Sequence, residues 1–485
     1  MFLGIDIGTS SVKAVVTNAE GDVIEQAAAA IPISRPKPLW SEQNPADWWT
    51  ATNKAVLALS PDRRRKLEAI GLSGQMHGAT LLDNEDRPLR PAILWNDGRS
   101  FAECAMLERA EPHSREITGN LAMPGFTAPK LLWLRDHEPD VFAATRKVLL
   151  PKDYVRLLMT GGYASDLSDA SGTLWLDVGG RRWSLAMLEA TGLSLEAMPE
   201  LFEGCEATGE LRKDIADSWG APIVPVAAGG GDNAAGAVGV GVVAPGQAFL
   251  SLGTSGVIFL AGDSFLPNPS DAVHAFCHAL PGRWHQMSVM LSAASCLEWA
   301  VRLTGVHDAG ALIAAAETAA RFDSEEIFLP YLSGERTPHN NPHARGALFG
   351  LTHDSDAAAI GQAVLEGVAF AFADGMDALQ AGGGRLDDIT VIGGGARSPY
   401  WGRILAAALN RPLSYRRDAE VGPAYGAAKL AQLCATGGRP EDICAPPPLL
   451  SVVEPRRDDI ESLAEKRRRF RSLYQNIEQI FPQGA

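Results

Sequence analysis

The start of the chain alternates apolar runs with short turn-forming segments. In FLGIDIGTSSVKAVVTNAEGDVIEQA, two β-prone runs flank the tight segment GTSS, and AEGD predicts a second turn before another extended run. Helix signals follow in NPADWWTATNKAVLAL, where Asn44 is a favourable N-cap and Pro45 suits the first helical position. The run SPYWGRILAAAL repeats this arrangement with Ser398 and Pro399. Strands that alternate with helices in this way predict an α/β fold.

A weak internal repeat indicates a duplicated architecture. The run FLGIDIGTSS near residue 2 resembles FLSLGTSG near residue 249, and the two Gly-Thr-Ser triplets begin at residues 8 and 253, about half the chain apart. Matches of three small residues also arise by chance, so the repeat alone is weak evidence. A duplication predicts two similar lobes, each presenting a phosphate-facing turn to the cleft between them. We place the boundary before Pro245, giving an N-terminal lobe of residues 1–244 and a C-terminal lobe of residues 245–485.

The uncharged stretch from residue 233 to residue 262 is long enough to be mistaken for a membrane span. Its seven glycines, together with Pro245 and Gln247, argue against a continuous lipid-facing helix. We therefore predict buried structure in a soluble protein and no membrane partner. No secretory signal is expected either, because Asp6 interrupts the N-terminal apolar stretch.

Charge and cysteine usage narrow the classes of function. The chain of 485 residues has a formal net charge of −15 and no long basic run, which argues against a nucleic-acid partner. Its six cysteines include no Cys-x-x-Cys pair. This usage suits a reducing compartment and predicts a cytoplasmic location.

The familiar nucleotide-binding signatures are absent, since no Gly-Lys dipeptide occurs and no G-x-G-x-x-G follows a strand. The turn in GIDIGTSSVK offers another phosphate cradle, in which the amides and hydroxyls of Thr9 and Ser10 converge on phosphate oxygens. Asp6 would hold magnesium through water. In SLGTSG, Thr254 is the residue we expect at the γ-phosphate. Either segment could equally be a plain turn.

The glycines of IGGGARS follow the β-prone run DITVI and would allow close approach of an adenine or a ribose. Similar strand-to-helix turns also occur without a ligand. The three glycine-containing segments together favour nucleotide binding more than any one of them does.

Two further segments supply candidate chemistry for a hydroxylated substrate. In AAGGGDNAAGAVGVG, an ionised Asp232 near a helix N-terminus could accept the proton of a sugar hydroxyl, or it could merely cap the helix. In GLSGQMHG, Met76 and His77 could face a polyhydroxylated ligand, although a single histidine is more often structural. For Asp97 and Arg99 we predict a structural ion pair.

With these segments in hand, the sequence resembles the FGGY family of carbohydrate kinases, and within it the branch that acts on D-xylulose. The resemblance covers nearly the whole chain in consistent order. It is carried by GIDIGTSSVK, PLWSEQNPADWW, SGQMHGATLLD, ILWNDGR, LLPKDY, ASGTLWLD, AGGGDNAAGAVGVG, SLGTSG, FLPYLSGERTPHNNPHARG, GLTHDSDAAAIGQAVLEG and IGGGARSPYW.

The resemblance implies two actin-like, ribonuclease H-like lobes with a nucleotide and sugar cleft between them. It implies ATP and Mg²⁺ as cofactors, D-xylulose as the small-molecule substrate, and it allows a homodimer. Asp232 falls on the catalytic base of the family, and the sugar contacts fall on Met76, His77, Asp232 and Asn233. The remaining positions that it marks are the metal position Asp6 and the nucleotide contacts Thr9, Ser10, Lys13, Thr254, Gly394 and Gly395.

Other functions remain open at this stage. The nearest is a kinase for another ketopentose, such as ribulose, or for a sugar alcohol. Actin-like lobes also serve ATPases that drive assembly or chaperoning, and a non-catalytic sugar sensor would share the fold. Dependence of ATP turnover on added pentulose would separate these classes.

Overall fold

The computed structural model describes residues 1–417 and 422–481. Residues 418–421 and 482–485 of the predicted C-terminal lobe therefore lie outside the described residues. The strands before residue 245 are β1 Phe2–Ile7, β2 Ser11–Thr17, β3 Val23–Ala30, β4 Glu42–Gln43, β5 Ala69–Gly74, β6 Thr80–Leu82, β7 Ala92–Ile93, β8 Lys147–Leu149, β9 Ala164–Asp166, β10 Leu176–Asp177, β11 Arg182–Trp183, β12 Glu200–Phe202, β13 Ala207–Glu210, β14 Pro225–Ala227 and β15 Gly230–Gly231. The helices there are α1 Pro45–Ala58, α2 Pro61–Arg64, α3 Phe101–Ala110, α4 Ser114–Thr118, α5 Thr127–His137, α6 Pro139–Ala144, α7 Pro151–Thr160, α8 Leu167–Ser171, α9 Leu185–Thr191, α10 Lys213–Trp219 and α11 Asp232–Val240.

The second half repeats this mixture of elements. Its strands are β16 Gln247–Leu252, β17 Gly256–Gly262, β18 His274–Cys277, β19 Trp284–Met290, β20 Ile327–Leu329, β21 Ala347–Phe349, β22 Asp388–Ile392, β23 Leu413–Arg416 and β24 Leu449–Val453. Its helices are α12 Ser295–Thr304, α13 Ala309–Ala319, α14 Ala357–Ala381, α15 Pro399–Leu409, α16 Gly422–Thr436, α17 Pro440–Ile443 and α18 Arg457–Ile477.

Each half is built on one large sheet, and the two sheets share a pairing pattern. In the first, β1, β2 and β3 form an antiparallel meander, while β5 and then β14 join the other side of β1 in parallel. In the second, β16, β17 and β19 form the meander, and β22 and β23 add in parallel beside β16. The duplication inferred from the Gly-Thr-Ser repeat is thus confirmed at the level of sheet topology, and so is the two-lobed α/β fold.

The local signals in the sequence also correspond to real element boundaries. Asn44 caps α1 by accepting a hydrogen bond from the backbone N–H of Ala46, and Pro45 is the first helical residue. Ser398 caps α15 in the same way with Trp401. The uncharged stretch of residues 233–262 is divided among α11, β16 and β17, so it forms no continuous helix.

Helix α16 joins the two halves, because it comes from the second half yet packs on β1 and β5 of the first sheet. Glycines permit this close approach. A Cβ at Gly4 would lie 1.8 Å from the carbonyl oxygen of Ala424, and one at Gly426 would lie 1.7 Å from that of Ala235. The division at residue 245 stays a prediction, since this helix belongs to the second half by sequence and to the first sheet by packing.

Helix α14 forms the centre of the second lobe, where it packs against α12, α13, α15 and the strand β20. It is the one helix among residues 1–417 and 422–481 that is long and apolar enough to cross a membrane. Most of its apolar surface is buried inside this lobe.

Candidate active site

A cavity of about 340 Å³ lies between the two lobes and is lined by both. The first lobe contributes the four predicted sugar contacts, Met76, His77, Asp232 and Asn233. The second lobe contributes Ser251, Gly253, Ser255, His274 and Arg336, among others. The structure therefore gathers the proposed base and sugar contacts around one space beside the second Gly-Thr-Ser turn.

Asp232 is the first residue of α11, and Gly231 rather than Asp232 occupies the N-cap position. Capping is therefore not the role of this carboxylate. Its Oδ1 accepts hydrogen bonds from the backbone N–H of Asn233 at 2.7 Å and from Asn233 Nδ2 at 2.9 Å. None of the described residues bonds Oδ2. Burial raises the pKa of Asp232 to about 6, so the carboxylate is largely ionised at neutral pH and is basic enough to take a proton.

A buried charged network supports the segment in front of Asp232. The backbone N–H of Gly231 donates to Ser168 Oγ at 3.1 Å, and the Ser168 hydroxyl donates in turn to Asp166. Asp166 also receives Lys152 Nζ at 2.7 Å, and both of these side chains are fully buried. Sequence reasoning missed this support, because nothing in LLPKDY or in the residues before ASGTLWLD marks a link to residue 231.

Asp6 lies opposite Lys13 in the β1–β2 hairpin, and its Oδ1 is buried without a hydrogen-bond partner among the described residues. Burial, and secondly the charge of Asp232, raise the pKa of Asp6 to about 7, while the nearby Ser73 side chain and then the charge of Lys13 lower it. Magnesium and the water molecules around it prefer carboxylate oxygens as ligands and hydrogen-bond acceptors, so the unsatisfied Oδ1 of Asp6 fits the predicted role. Among residues 1–417 and 422–481, no three His, Cys, Asp or Glu side chains gather as a metal cluster.

The first Gly-Thr-Ser turn joins β1 to β2. The N–H of Gly8 donates to the carbonyl of Ser11 at 3.0 Å and closes the turn. Thr9 is held from two sides, because its Oγ1 accepts from Trp95 Nε1 at 3.0 Å and its carbonyl accepts from Gln43 Nε2 at 2.7 Å. Ser10, by contrast, is exposed.

The second Gly-Thr-Ser turn joins β16 to β17 in the same way. The carbonyl of Thr254 accepts from the N–H of Ala293 at 2.9 Å and from Ser295 Oγ at 2.8 Å. The residue is exposed, and its neighbours Gly253 and Ser255 line the cavity while Thr254 itself does not. This position leaves its hydroxyl accessible beside the cavity.

Gly394 and Gly395 follow β22, which runs parallel to β16, so they lie next to the second turn rather than in the sugar cavity. A Cβ at Gly394 would meet nothing within 4 Å, whereas one at Gly395 would lie 2.8 Å from atoms of Leu252 and Trp401. The open face at Gly394 leaves room for a flat ligand, and the tight packing at Gly395 fixes the backbone beneath it.

His77 has a left-handed backbone conformation, with φ of 68°, and its Nδ1 lies 2.6 Å from the carbonyl oxygen of Gly172. Because a carbonyl only accepts, Nδ1 carries the hydrogen and Nε2 is left as an acceptor. Burial, and secondly the charge of Lys130, lower the pKa of His77 to about 3, so the ring stays neutral. Met76 lies against Gly231 and forms the adjoining wall.

Several other side chains of the cavity were not marked by sequence reasoning. The ring of Phe126 contacts His77, with 4.8 Å between ring centroids, and also His274 at 5.5 Å. Arg336 lies in the quoted run SGERTPH, yet no role was assigned to it. The predicted structural pair is confirmed, since buried Asp97 and Arg99 are joined at 2.7 Å and Arg99 also pairs with Glu42.

Comparison with known proteins identifies the family to which the chain belongs. The N-terminal domain of the FGGY family of carbohydrate kinases matches residues 1–239, and its C-terminal domain matches residues 248–435. The chain is 55% identical to the xylulose kinase of Escherichia coli K12 over 481 residues, covering 98% of this chain and 99% of that protein.

Solved structures show the same likeness. A "xyloylose kinase" from Brucella ovis superposes with a TM-score of 0.96 at 50% identity, covering 99% of each chain. The xylulose kinase of Rhodospirillum rubrum superposes with a TM-score of 0.92 at 28% identity, again covering 99% of each chain. With both domains matched in order and the lobes, turns and cavity in place, the chain belongs to the FGGY family of carbohydrate kinases, which phosphorylate sugars with ATP.

Proposed function

We propose that this chain phosphorylates D-xylulose with ATP to give D-xylulose 5-phosphate and ADP, with Asp232 as the general base. The observation that carries the proposal is the shared cavity, in which Asp232 and the neutral His77 face the same space beside the second Gly-Thr-Ser turn. The high identity to xylulose kinases supports the choice of sugar.

Asp232 takes the proton from the terminal hydroxyl as that oxygen attacks the γ-phosphorus of ATP. The bond between this phosphorus and the bridging oxygen breaks, and the electron pair leaves with ADP. Asn233 holds Oδ1 of the base through two hydrogen bonds, which orients the carboxylate toward the substrate. His77 Nε2 accepts a hydrogen bond from a sugar hydroxyl, and Met76 shapes the wall beside it.

The nucleotide is proposed to lie along the two turns. Thr9, Ser10 and Lys13 serve the phosphates from the first lobe, and Thr254 serves the γ-phosphate from the second. Gly394 and Gly395 admit the adenosine. Asp6 would hold magnesium through water, and that ion, when bound, neutralises charge on the phosphates.

A coupled ADP-release assay across D-xylulose, L-ribulose, D-ribulose and glycerol tests the proposal. D-xylulose should give the highest kcat/KM and glycerol the lowest. Each hydroxyl that an epimer misplaces leaves a buried polar group unpaired, at a cost of about 5- to 150-fold in kcat/KM.

Each alternative gives a different result in the same assay. A higher kcat/KM for a ribulose or for glycerol would leave a kinase with another substrate. ATP turnover that does not depend on added sugar would favour an ATPase, and no turnover with any sugar would favour a sensor.

A cytoplasmic location, a homodimer, and the absence of membrane or nucleic-acid partners remain parts of the same proposal. The net charge of −15 supports the last of these. The six cysteines are all free, which suits a reducing compartment.

A further inference from the structure

Arg336 is a cation of the second lobe that lines the sugar cavity. Its Nη1 donates to His274 Nε2 at 3.4 Å, and no carboxylate among the described residues forms an ion pair with it. The neighbouring Glu335 does not pair with the guanidinium. Its Oε1 accepts instead from the backbone N–H groups of Leu291 at 3.0 Å and Arg336 at 2.7 Å. Most of the five N–H donors of Arg336 are therefore left for a ligand.

His274 fixes the position of this guanidinium. Its Nδ1 bonds Asn120 Oδ1 at 3.0 Å, and because the amide oxygen only accepts, Nδ1 carries the hydrogen and Nε2 can accept from Arg336. The His274 ring also stacks on Phe276, with 5.5 Å between centroids. A buried, doubly held imidazole thus aims a positively charged donor into the cavity.

Arg336 is held by His274 on the side of the cavity formed by β18, the edge strand of the second sheet. His274 belongs to β18, and three strand spacings, or about 14 Å, separate β18 from the phosphate-side strand β16. The positive charge of Arg336 helps to lower the pKa of His77, and the charge of Asp232 raises the pKa of Asp6, so each pair lies within electrostatic range. The cavity therefore has a base end at Asp232 and a cationic end at Arg336, with His77 beside the latter.

The chemistry of a ketose fits this division. Its terminal hydroxyl must meet the base, so its carbonyl carbon and the hydroxymethyl group beyond it extend toward the other end. A carbonyl oxygen only accepts hydrogen bonds, and a guanidinium only donates them. His77 Nε2 offers an acceptor nearby for a hydroxyl of the same substrate.

We propose that Arg336 binds the C2 carbonyl oxygen of the ketose and that His274 positions Arg336 for this contact. The inference rests on the proposed function and extends it to the part of the sugar that does not react. Because the contact is made equally in the ground state and the transition state, it should act on KM much more than on kcat.

Glycerol makes the test sharp, since it corresponds to C3–C5 of the pentulose and lacks C1 and C2. Arg336→Met should raise the KM for D-xylulose, and the Kd measured by calorimetry, by about 10- to 100-fold. The kcat/KM for glycerol should stay unchanged. Arg336→Lys should give a KM for D-xylulose between those of the wild type and Arg336→Met, because lysine keeps the charge but lacks the planar guanidinium.

Two further variants complete the set. His274→Phe should also raise the KM for D-xylulose, but by less than Arg336→Met does. Arg345→Gln is the matched control, because Arg345 is exposed on the same segment and donates to the backbone carbonyls of Pro342 and Ala344. This control should leave both substrates unaffected.

Equal losses on D-xylulose and glycerol in Arg336→Met would overturn the inference, because the residue would then serve folding or phosphoryl transfer. An unchanged Kd for D-xylulose would also overturn it. The ADP-release assay of the wild-type protein across the four substrates tests the proposed function separately. If the wild type prefers another ketopentose, the same variant ratios apply to that sugar, and a preference for glycerol, which has no ketone, would refute both proposals.

Discussion

The two Gly-Thr-Ser hairpins have the same topology but very different chemistry. In the first, Asp6 and Lys13 are opposite one another across β1 and β2. At the matching level of the second hairpin, two residues before the glycine, Ser251 faces Val257 across β16 and β17. The duplicated scaffold thus carries two ionisable side chains on one side of the cleft and two neutral ones on the other.

The two turns also differ in burial and in the ionisable groups around them. Asp6 has a buried oxygen with a raised pKa and lies within the influence of Asp232, while Thr254 is exposed. Under the proposed function, one copy of the fold would hold the carboxylates for metal and proton chemistry. The other copy can then supply hydroxyl and backbone donors to phosphate without repelling it.

The largest effect should come from the proton acceptor on the charged side. Asp232→Asn keeps the shape of the side chain but removes the base, so kcat should fall by about 10²- to 10⁴-fold. Steady-state turnover at saturating substrates measures this change. Asp214→Asn on the surface helix α10 serves as the control, and near-normal turnover of a folded Asp232→Asn protein would show that the base lies elsewhere.

The second-largest effect should distinguish Asp6 from Ser251, the residues at equivalent positions of the two hairpins, by the magnesium requirement of their variants. Asp6→Asn should raise the magnesium concentration needed for half-maximal activity by about 10- to 100-fold, since an outer-shell partner of the ion is lost. Ser251→Ala should leave the magnesium requirement unchanged. Titration of activity with magnesium at fixed ATP measures the requirement of each variant. An equal change in the two variants would contradict the proposed difference between the hairpins.

The raised pKa of Asp6 also predicts a change in stability without nucleotide and magnesium. Its pKa is about 7 in the folded protein against 3.8 ordinarily, so ionisation of this group destabilises the fold progressively from about pH 4 to pH 7. Asp6→Asn should therefore raise the free energy of unfolding by about 1–2 kcal/mol at pH 8.

That gain should become small as the pH approaches 4, where the wild-type carboxyl is protonated in the folded protein and about half protonated in the unfolded chain. Denaturant unfolding at the two pH values measures the difference. A variant that is equally stable or less stable at pH 8 would contradict the unfavourable burial of Asp6.

The smallest effects concern the two threonines. Thr254→Val should lower kcat by about 2- to 10-fold, the value of one hydrogen bond to the transferring phosphoryl group. Thr9→Val should change kcat less, because the Thr9 hydroxyl is already bonded to Trp95 Nε1. In the variant, the indole N–H can donate to water instead. If Thr9→Val has the larger effect on kcat, the γ-phosphate contact belongs to the first turn.

Sequence alone determined the parts of this protein that local rules encode. The caps Asn44 and Ser398 and the strand before each Gly-Thr-Ser turn follow from hydrogen-bonding preferences and periodicities within a few residues. The duplication was readable because the same short segment occurs twice, near residues 2 and 249. The identities of Asp232 and His77 as site residues came mainly from resemblance, because each also had an ordinary structural explanation.

Only the tertiary structure decided which distant residues share the cavity. The contact of Arg336 with His274 spans 62 positions, and that of Gly231 with Ser168 spans 63. Likewise, α16 crosses from the second half to the first sheet, and tertiary packing leaves Asp6 Oδ1 buried without a hydrogen-bond partner among the described residues. Such contacts depend on how two sheets pack around a cleft, and no local pattern of residues encodes that packing.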